Sequence, residues 1–189
     1  MKQSLRNLHY AIQTQDDEQG VDYEAPVRIV GAISGKITPA SESETEYADD
    51  GAFDVAYSLG DINVEFDVAD LPLKHQAALL GHQYKNGVMI KNADDQPPYV
   101  AIGFMSRLSE AAIEFVWLLK GKFALIEDEY ATATNKPEFR KPKLKGTFVK
   151  RIYDGDWEHR ANSGDEGFDA NVAAGWFSAV YEPAEEPAG

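Results

Sequence analysis

Cysteine is absent from this 189-residue sequence. Disulfide bonds, thiolate catalysis and cysteine-ligated zinc sites are therefore excluded. The sequence also lacks a run of roughly 20 apolar residues, the length that a membrane-spanning helix needs. Polar residues follow the first six positions, where a signal peptide would have its apolar segment. We therefore expect no membrane partner, and a reducing cytoplasm fits as the place of synthesis.

Basic residues are scarce, with 18 Lys and Arg against 32 Asp and Glu, for a net charge of −14. Such a chain is not expected to bind DNA through bulk charge, because phosphate neutralisation needs clustered cations. The charge is distributed unevenly along the chain: the net charge is −11 over residues 1–70, +5 over residues 71–153 and −8 over residues 154–189. Two interpretations stay open, a soluble acidic surface with chance clustering or acidic and basic faces that meet in an oligomer.

Motifs of catalysis and metal binding are also missing. No glycine-rich phosphate loop and no Gly-x-Ser-x-Gly elbow occurs. His9, His75, His82 and His159 lack metal-ligand spacing, and structural or surface roles are expected for them. The acidic clusters at 16–18, 49–50, 94–95 and 154–156 do not follow the twelve-residue calcium loop, so solvated turns are predicted. We predict no enzyme activity, no catalytic residues, no cofactor and no metal.

Alternation of apolar and polar residues is the main structural signal, and it is typical of half-buried strands. It occurs at 7–14, 27–37, 53–57, 62–68, 113–123 and 143–153. Asn86 and Gly87 form a two-residue hairpin signal. Trp117 alternates within an apolar strand and is expected in the core, whereas Trp157 and Trp176 fit either the core or an interface.

Two helices are predicted. The first covers about residues 72–80, with Asp70 as its N-cap, Pro72 in its first turn and Gly81 as its C-cap. The second covers about residues 171–178, near the end of the chain. The predicted fold is mainly β: an antiparallel sandwich or barrel with one inserted helix and one short C-terminal helix. We predict a single domain over residues 1–182 and a disordered acidic tail at 183–189.

Residues 38–52 are polar, acidic and poor in core-forming side chains. They lie between two strand-like runs, which predicts a long hairpin arm instead of a linker. The isolated arm is expected to be mobile, because it buries little surface to offset the loss of conformational entropy.

A basic run between residues 136 and 151 contrasts with this arm. Phe139 and Phe148 are interleaved with its cations, as in proteins that bind single-stranded nucleic acid. Pro137 and Pro142 interrupt the run, and contact with an acidic surface of a neighbouring subunit explains it equally well. The candidate subunit-contact residues in this run are Lys141, Lys143, Lys145, Lys150 and Arg151.

Several segments resemble the major tail protein family of long-tailed bacteriophages, the subunits of the tail tube. The resemblance spans residues 5–182 and departs from the family pattern at 108–113, where a glycine-bearing turn is usual. The segments, in order, are 26–34, 47–51, 68–82, 98–104, 116–123, 137–139, 146–151, 153–155, 176–177 and 180–182. No single segment is diagnostic, and it is their number and order that make the match specific.

The resemblance implies a structural virion protein that self-assembles into hexameric rings, which stack into the tube through which DNA is ejected. It implies a location in the phage tail after synthesis in the host cytoplasm. Its implied partners are other copies of itself, the tape measure protein and other tail proteins. DNA would pass through the bore without specific binding, and an acidic bore would repel it over the roughly 8 Å range set by salt screening.

The arm is then the candidate for contact between rings, and we expect it to be mobile in the monomer and ordered in the tube. Its candidate residues are Glu42, Glu44, Glu46, Tyr47, Asp49 and Asp50. Two other classes of function stay open. A ligand-binding β-sandwich, for carbohydrate or receptor, would need exposed coplanar aromatic side chains. An enzyme with paired carboxylates would need an acid whose pKa is raised in a pocket.

Overall fold

A computed structural model describes residues 4–48, 51–108, 112–128 and 141–184, with the backbone alone at 44–48 and 51–56. The fold is mainly β and every strand pair is antiparallel, as predicted. The strands are β1 (Ser4–Asp17), β2 (Gly20–Tyr23), β3 (Val27–Arg28), β4 (Ala32–Ala48), β5 (Gly51–Val68), β6 (Gln83–Lys85), β7 (Val88–Ile90), β8 (Val100–Arg107), β9 (Ile113–Phe123), β10 (Lys143–Phe148) and β11 (Glu158–Asn162). The helices are α1 (Leu73–Leu80), between β5 and β6, and α2 (Ala170–Gly175), after β11.

One large sheet carries most of the described chain, in the order β2-β1-β8-β9-β10-β5-β4. β11 also pairs with β9, and β3 also pairs with β1. The sheet curls so that β4 comes against β1: a Cβ built on Gly35 would lie 3.4 Å from Leu5 Cδ2. This curvature gives the sheet a concave inside and a convex outside.

Each side of the sheet has its own apolar core. The inner core is formed by alternate residues of β1, β5, β8 and β9 and by α1, and it includes Leu8, Val64, Phe66, Leu79, Leu80, Ile102 and Leu118. The outer core lies where the C-terminal segment packs on β8 and β9, and it includes Ala101, Phe115, Trp117, Leu119, Trp176 and Val180. Trp117 is fully buried, as predicted, and Trp176 joins it in the outer core.

The inserted helix and the Asn86–Gly87 turn form as predicted. Gly81 ends α1 in the left-handed conformation with φ 75°, and a Cβ there would lie 2.1 Å from the Gln96 carbonyl oxygen. Asn86 and Gly87 both have positive φ, which fits the tight turn between β6 and β7. Pro72 occupies the N-cap position of α1, so the prediction that Asp70 caps the helix is wrong.

Three predicted boundaries are also wrong. The strand expected at 27–37 is interrupted, because Gly31 adopts φ 87° and its carbonyl accepts a hydrogen bond from the Ala69 amide at 2.7 Å. The strand expected at 143–153 ends at Phe148, since the Arg151 amide bonds to the Asp156 carbonyl across a turn. The C-terminal helix ends at Gly175 and not at 178.

Candidate assembly surfaces

The β4–β5 hairpin projects from the body of the fold. β10 pairs with β5 only between Ile62 and Asp67, and within the described chain residues 51–61 pair with β4 alone. At about 3.3 Å per residue, the free part of the hairpin extends roughly 30 Å. We call residues 40–61 the arm; compared with the predicted 38–52, it begins two residues later on β4 and continues nine residues further along β5.

The arm carries apolar side chains outside either core. Tyr57 is 77% exposed and Leu59 is 44% exposed. They pair with Ser43 and Ser41 on β4, so the two pairs occupy the same face of the ribbon. An isolated two-stranded ribbon is marginally stable in water, and this one also leaves an apolar face without a covering layer in the described structure.

The structure describes the six residues predicted for inter-ring contact to different extents. Glu42 lies on β4 opposite Ser58, and its side chain is exposed. Glu44, Glu46 and Tyr47 belong to the same strand, where the backbone alone is described. Asp49 and Asp50 lie outside the described residues. Sequence alone establishes that no Lys or Arg occurs between Lys36 and Lys74, so the arm is acidic throughout.

The convex face of the sheet presents a second surface, which is basic. The strand register places Lys36 of β4, Glu65 of β5 and Lys145 of β10 in one row across the sheet. The next row contains Thr38, Asn63, Thr147 and Lys122. A groove runs over these two rows, and we call it the cationic groove.

Three lysines of the cationic groove have no ion-pair partner among the residues that the structure describes. Among the described residues, no carboxylate lies within 4 Å of the Nζ of Lys36, Lys122 or Lys145. Glu65 contacts Lys143 instead, at 3.0 Å, and this contact raises the pKa of Lys143. Lys122 lies over the Tyr99 ring, with its Nζ 4.5 Å from the centroid. Within the described part of the chain, the groove therefore keeps positive charge that no carboxylate compensates.

The structure brings three predicted basic residues together. Lys141, Lys143 and Lys145 line a shallow pocket beside the cationic groove, together with Gln76, Leu125 and Asp128. Lys150 is exposed beyond the end of β10. Sequence reasoning missed Lys36 and Lys122, because only the strand register places them beside Lys145.

Arg151 corrects the predicted basic surface, since it is buried with 1% exposure. Its guanidinium forms ion pairs with Asp154 and Glu182, and Nε donates to Asp154 at 3.0 Å. Burial alone would lower the pKa of Arg151, but these two carboxylates raise it. Arg151 thus fastens the C-terminal segment to the body and is not part of an exposed contact surface.

Asp16 was also misassigned, because the acidic turn at 16–18 was predicted to be solvated. Its carboxylate is buried and pairs with Lys120 at 2.5 Å, and it accepts hydrogen bonds from the amides of Ile152 and Tyr153. Burial would raise the pKa of Asp16, but these donors outweigh it and hold the pKa below its ordinary value. The pair fixes the loop after β10 against β1 and β9.

The histidines make contacts with other side chains and with the backbone of the described structure. His9 stacks on Phe177 at 4.5 Å, His75 bonds to the Tyr10 hydroxyl, and burial lowers the pKa of both imidazoles. His82 pairs with Asp95 at 2.7 Å; the Asn92 amide and His82 lower the pKa of Asp95. No group of three or more potential ligands among His, Asp and Glu comes together in the described part of the chain.

Neither described helix has the length and apolar character that crossing a membrane would require. Comparison of the chain with protein-family models and with curated proteins finds no match.

Proposed function

We propose that this protein is a structural subunit that self-assembles into stacked hexameric rings, forming a phage tail tube through which DNA is ejected. The observation that carries the proposal is the projecting arm, with Tyr57 and Leu59 exposed on one face. A ribbon with apolar side chains exposed on one face is expected to have that face covered by another surface in the assembled state. The family resemblance supports the same assignment.

Sheet geometry also supports self-assembly. In the described structure β4 pairs on one side only, and it is an edge strand of 17 residues. Long exposed edges invite pairing with another chain. Because the arm and the rest of the body are different surfaces, a contact between them is heterologous and closes a ring or continues as a filament. Both kinds of growth are needed for stacked rings.

The proposed partners follow from this assignment. They are further copies of the chain, the tape measure protein and other tail proteins, in a virion whose parts are made in the host cytoplasm. The net charge of −14 disfavours tight binding of DNA, so passage without specific binding is proposed.

The binding-module alternative has weaker support. A carbohydrate platform needs exposed coplanar aromatic rings, but Trp117 and Trp176 are buried and Trp157 is half-buried. Four tyrosines are exposed, Tyr57, Tyr84, Tyr99 and Tyr153, and the ammonium groups of Lys120 and Lys122 lie over one of these rings, that of Tyr99. We therefore rank assembly above ligand binding.

Negative-stain microscopy of the purified protein at high concentration, alongside light scattering, tests the proposal. We expect rings about six subunits around, or tubes with a central channel. A protein that stays monomeric at every concentration, even with tail initiator proteins added, would contradict it. A glycan array would then test the alternative.

Hydrogen exchange gives a second test. In the monomer, arm amides should exchange faster than those of β9, because a ribbon without a covering layer opens locally at low cost. In the assembled state the same amides should become protected. Equal protection of the arm in the two states would refute its role in contact between rings.

A further inference from the structure

We infer that the cationic groove is the docking site for the acidic arm of a second copy of this chain. This inference rests on the proposed self-assembly and adds the surface that receives the arm. It names one occupant for a groove whose lysines have no carboxylate partner within the described monomer.

Charge complementarity is the first argument. The stretch from residue 37 to residue 73 contains no Lys or Arg, and five acids fall within residues 42–50. The groove presents Lys36, Lys122 and Lys145 without ion-pair partners in the described residues. Complementary fields of this kind speed encounter and fix the register of two surfaces more than they add affinity.

The direction of the arm is the second argument. Lys36 and Glu42 belong to the same strand, and the free arm begins where β5 leaves β10. The arm therefore extends away from the groove of its own subunit, and a ribbon roughly 30 Å long is about as long as a small domain is wide. A neighbour offset by one subunit could place its arm over this groove.

The side chains that line the groove can form hydrogen bonds and ion pairs with an acidic ribbon. Thr38, Asn63 and Thr147 supply hydroxyl and amide groups between the lysines. Glu65 is occupied by Lys143 at 3.0 Å, so the carboxylate within the groove is already compensated. The polar face of an incoming arm would meet cations and neutral hydrogen-bonding groups, and its Tyr57 and Leu59 face would be left for a further layer.

Cross-linking provides the test, because the chain has no native cysteine. Ser58→Cys on the arm and Thr147→Cys in the groove are prepared as separate full-length proteins, one of them carrying a mass tag. The two are mixed at high concentration with a short bismaleimide. We expect a mixed dimer at least about fivefold above a control that pairs Ser58→Cys with Glu18→Cys, an exposed turn position. The excess should disappear at about 1 M salt, where the screening length is roughly 3 Å.

Charge reversal is the second readout. Glu42→Lys alone and Lys145→Glu alone should each lower the cross-link yield about fivefold, the size of an exposed ion-pair effect. The two changes together should restore it. No excess over the control, or a double variant weaker than both single variants, would overturn the inference.

The remaining outcomes separate the two proposals. Rings in the microscope without an arm–groove cross-link would refute this docking site and leave the tube assignment in place. A cross-link without rings would support the docking site and count against the tube. Binding of a labelled DNA duplex that is lost in Lys36→Glu/Lys145→Glu, with no cross-link, would make the groove a nucleic-acid site and overturn the inference.

Discussion

At the scale of single residues, burial determines whether a charged side chain holds the fold together or stays exposed to solvent. Asp16 and Lys120 are separated by 104 positions, and Arg151 and Glu182 by 31. No sequence pattern links such pairs, so the acids looked solvated and Arg151 looked like part of a basic surface. The structure instead uses both pairs to hold loops on the sheet. Trp117 was predictable, because it alternates within one apolar strand.

Asp16→Asn should destabilise the fold by about 3 to 5 kcal/mol at pH 7, because it leaves the buried Lys120 ammonium without its counter-charge. The folded pKa of Asp16 is lowered, so its contribution to stability is present above the unfolded pKa of about 3.9. The contribution is lost as pH falls through the folded value.

Urea unfolding at several pH values from 7 down to about 2 measures both effects, because the loss lies below the unfolded pKa of about 3.9. As the pH falls, the native protein should lose unfolding free energy because Asp16 becomes protonated. The variant should lack this part of the loss. Glu18→Gln, two positions along and exposed, is the matched control and should change little. A small effect of Asp16→Asn at pH 7 would show that the ion pair is not important for stability.

At the scale of elements, the sequence was sufficient where the hydrophobic period of a segment agreed with the residue types at its ends. β9 covers the predicted residues 113–123, and Gly81 caps the C-terminus of α1. The interruption at Gly31 was not visible, because it depends on a hydrogen bond from Ala69, which is distant in sequence. Lys36 and Lys122 were missed for a similar reason. They lie near Lys145 because of the register between paired strands, which the sequence of a single strand does not reveal.

A substitution between β8 and β9 can test how closely these two strands pack. Gly103 lies opposite Trp117, and a Cβ on Gly103 would come within 2.7 Å of the indole ring. Gly103→Ala should cost about 1 to 3 kcal/mol of folding free energy, because the buried indole cannot move without disturbing the outer core. Gly175→Ala is the matched control, since nothing lies within 4 Å of its Cβ position. Thermal and urea unfolding compare the two, and equal stabilities would refute the close packing.

At the scale of the whole molecule, the described core and the proposed assembly surfaces are separate. Among the side chains of β5 that the structure describes, residues 57–68, the buried apolar ones begin at Ile62, whereas Tyr57 and Leu59 are exposed on the arm. The hairpin was predicted because residues 38–52 lie between two strand-like runs, but its length beyond the body could be estimated only once the pairing of β5 with β10 was known. Stability and assembly should therefore respond to different changes.

Shortening the arm tests whether assembly can be lost while the stability of the fold is kept. Glu42 and Ser58 are paired, so residues 43–57 can be replaced by Asn-Gly, which favours a tight hairpin turn. The melting temperature should change by only a few degrees, because the described side chains of both cores all lie outside the deleted segment. Ring and tube formation, followed by light scattering and negative-stain microscopy, should be lost.

A variant in which Tyr57 and Leu59 are both replaced by Ser keeps the length and the charge of the arm, and it serves as the companion. If the arm acts mainly through charge, this companion should still cross-link to the groove and fail only at the later step that covers the apolar face. If the shortened protein unfolds, the arm belongs to the folding unit. If it still forms tubes, contact between subunits does not depend on the arm, and the edge of β4 nearer the body must carry it.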